Sequence, residues 1–169
     1  MKSDPVVPAL KDLGALTPGD VDLVERAQIA HAKVLLEQAR TSPSMSETII
    51  VSLLESHVWM LERRQLCRQK ADLLLQPLRD AARELGYAIS VHGSLTRDID
   101  LIACPWTEHA ASAHELAAAV IDTIKTVNGI ALDPTDDANP RTKPHGRLAW
   151  SIHLGGGPYV DLSVMPRLT

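Results

Sequence analysis

Two different periodicities divide the chain near its middle. In the first half, apolar residues recur at helical spacing. Thr17-Pro18 followed by Asp20 places a hydroxyl N-cap, a proline at the first helical position and an acid in the first turn. Val21, Val24, Ile29, Val34 and Leu35 then supply an apolar side, and the Thr41–Ser44 stretch ends that helix. Ser44 and Glu47 match a capping box, which opens a second helix running into the low 70s. Its apolar side is Ile49, Ile50, Leu53, Leu54, Leu61 and Leu66. Pro77 is expected to break or kink this pattern, leaving Leu78 to Leu85 as a third helix closed by Gly86 in a left-handed C-cap.

From Tyr87 the period shortens to two. Tyr87–His92 and Asp98–Ala103 read as strands flanking a short turn that contains Gly93-Ser94. Thr107 to Val127 is alanine-rich and helical, capped by Thr107 and stopped by Asn128-Gly129. The stretch from Asp133 to Gly146 holds three prolines and reads as a mobile loop. Arg147–Leu154 and Pro158–Met165 form a hairpin about Gly155–Gly157. The resulting expectation is an α+β protein: a helical region over 1–80, then a small mixed sheet with flanking helices over 81–169.

Composition narrows the chemistry. Apolar residues are 45% of the chain, enough for a buried core, but aromatics are 3% and phenylalanine is absent. The core is therefore aliphatic, and stacking platforms for single-stranded nucleic acid are scarce. A net charge of −4 gives no global field to hold a polyanion. Cys67 and Cys104 form no CxxC and read as free thiols. No apolar leader or membrane-length run is present, so the expectation is a soluble, cytoplasmic protein.

On the strand Asp98-Ile-Asp100-Leu, side chains two apart share a face. Asp161 sits amid the same alternation in Tyr159-Val-Asp161-Leu. If the two strands are neighbours, three carboxylates meet on one surface, and their repulsion calls for hard divalent cations with oxygen ligands. His92 and His153 alternate on strands nearby. Lys143, His145 and Arg147 border the proline-rich segment and are candidates for triphosphate or acceptor contacts. The Arg63-Arg64…Arg68…Lys70 cluster reads as a solvated helix face. None of the seven histidines forms a metal-binding pair, and His31, His57, His109 and His114 lie on expected helices.

Gly93-Ser94, Asp98-x-Asp100 in a hydrophobic strand, and a later Asp161 resemble the signature of the minimal polymerase beta-like nucleotidyltransferases. The stretches VHGSLTRDIDLIACPW and GPYVDLSVMP are also similar to uncharacterised phage and prophage proteins. The resemblance implies that Asp98, Asp100 and Asp161 bind Mg²⁺ or Mn²⁺ and that Gly93 and Ser94 hold the triphosphate. An NMP would pass from an NTP to a hydroxyl acceptor not named by the sequence. In that family about ten residues separate the Gly-Ser from the first acid. Here only Leu95, Thr96 and Arg97 intervene, which shortens the phosphate cradle and leaves Arg97 as its replacement contact. With Lys143 and Arg147, these make up the expected nucleotide-binding set. The competing reading is a non-catalytic, phage-type binding or inhibitor protein on the same fold. Its partner surface would be the long N-terminal helices, which could equally pair in a homodimer.

Overall fold

The computed structural model describes residues 18–41, 45–129, 139–155 and 157–167. The elements are α1 (Pro18–Arg40), α2 (Met45–Glu84), β1 (Tyr87–Val91), β2 (Ile99–Pro105), α3 (Ala113–Asn128), β3 (Arg141–Thr142), β4 (Leu148–His153) and β5 (Tyr159–Val164). They fall into two compact units, Met1–Val58 and Trp59–Thr169. Among the described residues, no helix is long and apolar enough to cross a membrane.

In the first unit α1 buries Ile29, Ala32 and Leu36, a stripe at helical spacing, and α2 buries Val58. Val24, Val34 and Leu35 are exposed instead, so the buried stripe runs beside the one expected from the larger side chains. Arg40 of α1 donates to Glu55 of α2 at 2.7 Å, an exposed pair that contributes little to stability. The expected caps Thr17 and Ser44 lie outside the described residues.

The second unit is a five-stranded mixed sheet in the order β1-β2-β5-β4-β3. β2 and β5 run parallel at its centre, while β1–β2, β5–β4 and β4–β3 are antiparallel. One face is buried. Leu74, Leu78 and Ala82 of α2, with Leu116, Val120 and Ile124 of α3, join a single cluster with Ile89, Leu101, Ile152 and Leu162 of the strands. Full burial of each such aliphatic side chain contributes roughly 1.5–3 kcal/mol. Strand alternation leaves Ser90, Asp100, Ser151, Asp161 and Ser163 on the other face, exposed or half-buried.

Three sequence expectations are corrected. Pro77 lies inside α2, which is one continuous helix of 40 residues rather than two. A proline costs one backbone bond there, about 3 kcal/mol. The burial of Leu74, Leu78 and Ala82 on either side of it outweighs that loss. The helix expected from Thr107 begins only at Ala113, and His109 lies in a turn before it. The segment expected to be a loop up to Gly146 contains β3, paired with β4 through Arg141 and Ala149; residues 133–138 lie outside the described residues.

The true start of α3 is a reciprocal cap. The Ser112 hydroxyl accepts from the Glu115 amide at 3.3 Å, and Ser112 N–H donates to Glu115 Oε2 at 2.7 Å. Bonds from the Ser112 hydroxyl and amide hold the Glu115 carboxyl below the ordinary glutamate range. The folded state thus binds the Glu115 proton more weakly than the unfolded chain. The cap's contribution is present above the ordinary glutamate range and disappears as pH falls through the lowered value. Ser112→Ala is expected to cost about 1 kcal/mol by urea denaturation at neutral pH, with the difference from wild type shrinking in acid.

Candidate functional site on the open face of the sheet

The site begins at the turn between β1 and β2. His92 N–H donates to the Asp100 carbonyl at 2.8 Å, and the chain then reverses through Gly93 at φ +145°. That reversal packs Gly93 against the Asp100 side chain. A Cβ at Gly93 would overlap Asp100 Oδ2 and lie 3.1 Å from its Cγ. Glycine is required here both for its backbone angle and for the space it leaves to a carboxylate. The Ser94 hydroxyl donates to Thr96 Oγ1 at 2.8 Å within the turn. No helix follows Gly93-Ser94 before β2 begins.

Asp98 stands just before β2. Its Oδ1 accepts from the Tyr159 amide at 3.4 Å and lies 3.6 Å from Arg63 Nη2. Arg63 also donates through Nε to the Arg97 carbonyl at 3.1 Å and sits over the Trp59 ring. Arg63 therefore anchors the end of the turn to α2.

Asp100 and Asp161 are direct register partners across the parallel β2–β5 pair, and Ser151 of β4 is the next partner of Asp161. Burial, then the Asp161 and Asp98 charges, push the Asp100 carboxyl above the ordinary aspartate range, with His92 and Arg97 pulling the other way. Burial raises the Cys67 thiol as well, and the charges of Asp98 and Asp100 reach it.

The two acids line a cavity of about 250 Å³. Its opposite wall, from β3 and the turn that joins it to β4, carries Arg141, Lys143 and Arg147, and Ser151 and Ser163 lie between. Across the sheet, then, the Gly93-Ser94 turn and the cationic wall stand on opposite sides of the carboxylate pair.

No family model matches this chain, and a search of curated proteins finds no match.

Asp100, Asp161, Lys143 and Arg147 share one cavity, and Gly93 abuts it through Asp100. Asp98 is engaged by Arg63 and the Tyr159 amide, and Arg97 is exposed with its charge felt at Asp100. His145 takes a left-handed backbone in the turn before Arg147. His153 packs edge-on against Tyr159, with ring centroids 4.4 Å apart. Among the described residues, no three His, Cys, Asp or Glu side chains converge as a ligand group.

Sequence reading missed Arg141, Ser151 and Ser163, and placed Arg63 on a solvated helix face, whereas it is half-buried against Asp98. The serines carry a legible signal, since both alternate with buried residues on their strands. Arg63 carries none: its role depends on where α2 crosses the start of β2.

Gly93→Ala tests the turn. The protein is expected to remain folded, since Gly93 is exposed, while Asp100 is displaced. A misplacement of that size costs roughly 100-fold in the rate of any reaction the acid supports. Steady-state kinetics together with circular dichroism would separate that loss from unfolding.

Proposed function

We propose that this face is the active site of a divalent-metal-dependent nucleotidyltransferase, moving an NMP from an NTP to a hydroxyl acceptor. The observation that carries the reading is the in-register Asp100–Asp161 pair on central parallel strands, with Gly93 closed against Asp100. Two adjacent carboxylates, one with its ionised form disfavoured by burial and then by the other, make an all-oxygen donor set that suits a hard divalent cation. Asp100 and Asp161 would hold Mg²⁺ or Mn²⁺. Asp98, drawn to Arg63, would join them only by leaving that pair.

A bound cation of this kind polarises the phosphoryl group and favours ionisation of the attacking hydroxyl. The chain supplies the rest. The Gly93-Ser94 turn and Arg97 receive the nucleotide phosphates, and Asp161, facing the cationic wall, orients the acceptor. The acceptor oxygen bonds to the α-phosphorus as the bond to pyrophosphate breaks, and the hydroxyl proton passes to solvent.

The test is transfer of label from each α-³²P NTP with Mg²⁺ or Mn²⁺ across a panel of hydroxyl compounds, alongside thermal shift with the same nucleotides. Metal-dependent, nucleotide-selective stabilisation with pyrophosphate release supports the reading.

A second reading has its own support. The turn after Gly93-Ser94 offers no helix N-terminus to phosphate, and Asp98 is already paired. Both features fit a binding protein that uses this fold without turnover. Such a protein is indifferent to divalent metal and NTP in the same thermal-shift series.

A further inference from the structure

The cationic wall has a composition that the acids alone do not require. Arg141, Lys143 and Arg147 bring three positive charges to a cavity in which Asp100 and Asp161 bring two negative ones. Among the described residues, none of the three cationic side chains has a hydrogen-bond or ion-pair partner, whereas Arg63 and Arg40 each do. Arg147 Nε is moreover buried without a hydrogen-bond partner. A buried guanidinium N–H left unbonded is costly and is relieved by an oxyanion acceptor. A backbone bond from Lys143 N–H to the Arg147 carbonyl, 2.8 Å, fixes these two residues relative to each other across the intervening turn.

We propose that this wall is a phosphate subsite for the acceptor, so that the acceptor is a small phosphorylated hydroxyl compound. The assignment rests on the transferase reading. Position separates it from the donor site, because the wall lies on the Asp161 side of the acid pair and the Gly93-Ser94 turn on the Asp100 side. Charge selects phosphate over carboxylate, since several cations match a dianion better than a monoanion. Size selects a small molecule: about 250 Å³ falls below the usual range of drug-sized pockets. The chain's net charge of −4 also opposes a long polyanion.

The experiment uses inorganic phosphate and metal-free protein at low ionic strength, read by isothermal titration calorimetry and ³¹P line broadening. The wild type is expected to bind with a Kd on the order of 1 mM. Arg147→Gln and Lys143→Gln, each checked for an unchanged melting curve, are each expected to weaken binding about tenfold. A non-hydrolysable NTP with Ca²⁺ should bind without displacing phosphate. Absence of phosphate binding, binding unaffected by both variants, or competitive displacement by the NTP analogue would each overturn the subsite. A 5′-phosphorylated oligonucleotide that displaces phosphate at much lower concentration would overturn the small-molecule assignment. The two readings fail separately. NTP-dependent stabilisation without phosphate binding removes the subsite alone, whereas phosphate held by Arg147 without any NTP response removes the transferase reading.

Discussion

Asp100→Asn is expected to raise the melting temperature while lowering the proposed nucleotidyl transfer by about 10²–10³-fold or more. Both effects have one source. Asp100 is half-buried beside Asp161, and burial with that neighbouring charge lifts its carboxyl above the ordinary aspartate range. The folded protein therefore binds the Asp100 proton more tightly than the unfolded chain does. This contribution to stability is fully present below the ordinary aspartate range and is lost as pH rises through the elevated value. Above that elevated value the repulsion is expressed, and asparagine removes it while keeping the shape. Each kcal/mol recovered raises the melting temperature by about 2–4 °C in a chain of this size. In the proposed site a divalent cation would relieve the same repulsion in the wild type. Mn²⁺ is thus expected to stabilise the wild type and have little effect on Asp100→Asn. Differential scanning calorimetry across pH, with and without Mn²⁺, checks the sign. A variant that melts lower and retains transfer would remove Asp100 from the proposed chemistry.

Gly86→Ala is expected to be the most destabilising of the single-methyl additions. Gly86 ends α2 at φ +80°, where any side chain is strained. It is also buried under the segment that leads to α3. A Cβ there would overlap Thr107 Oγ1 and lie 2.9 Å from the Ala110 Cα. The Thr107 side chain can rotate away, but the Ala110 backbone is held. Ala111 N–H donates to the Leu85 carbonyl at 3.0 Å, and Arg167 Nη1 donates to the Ala110 carbonyl at 2.9 Å. Overpacking against a held backbone costs about 1–3 kcal/mol in addition to the strain of the left-handed angle. Chemical denaturation should show a shifted midpoint with an unchanged slope. A midpoint within experimental error of wild type would mean that the Thr107–Ala110 segment yields.

Much of this was legible before any tertiary information. The change of period at Tyr87, the alternation of Ile99, Leu101 and Ala103 against Asp100, and the left-handed Gly86 follow from local sterics and side-chain parity. A strand's two faces are set by covalent geometry, so the sequence alone determined that Asp100 and Asp161 lie opposite their apolar neighbours.

What lay beyond it were contacts between residues far apart along the chain. The sequence pointed to Thr107 as the cap of the helix that Ser112 and Glu115 in fact open. The start of α3 was decided by Ala110 packing under Gly86 and Ala111 bonding to Leu85. Pro77 carries a local signal to stop a helix, and only the burial of Leu74 and Leu78 against the sheet overrides it. Strand order was decided in the same way. The parallel pairing of β2 with β5 brings Asp161 beside Asp100 across some 60 intervening residues, and the β3–β4 pairing brings Arg141, Lys143 and Arg147 to the same cavity. The sequence by itself determined which residues are acids on a polar face. Only the tertiary structure decided that they lie side by side and share a cavity with a cationic wall, because register between distant strands is set by packing of the whole apolar face.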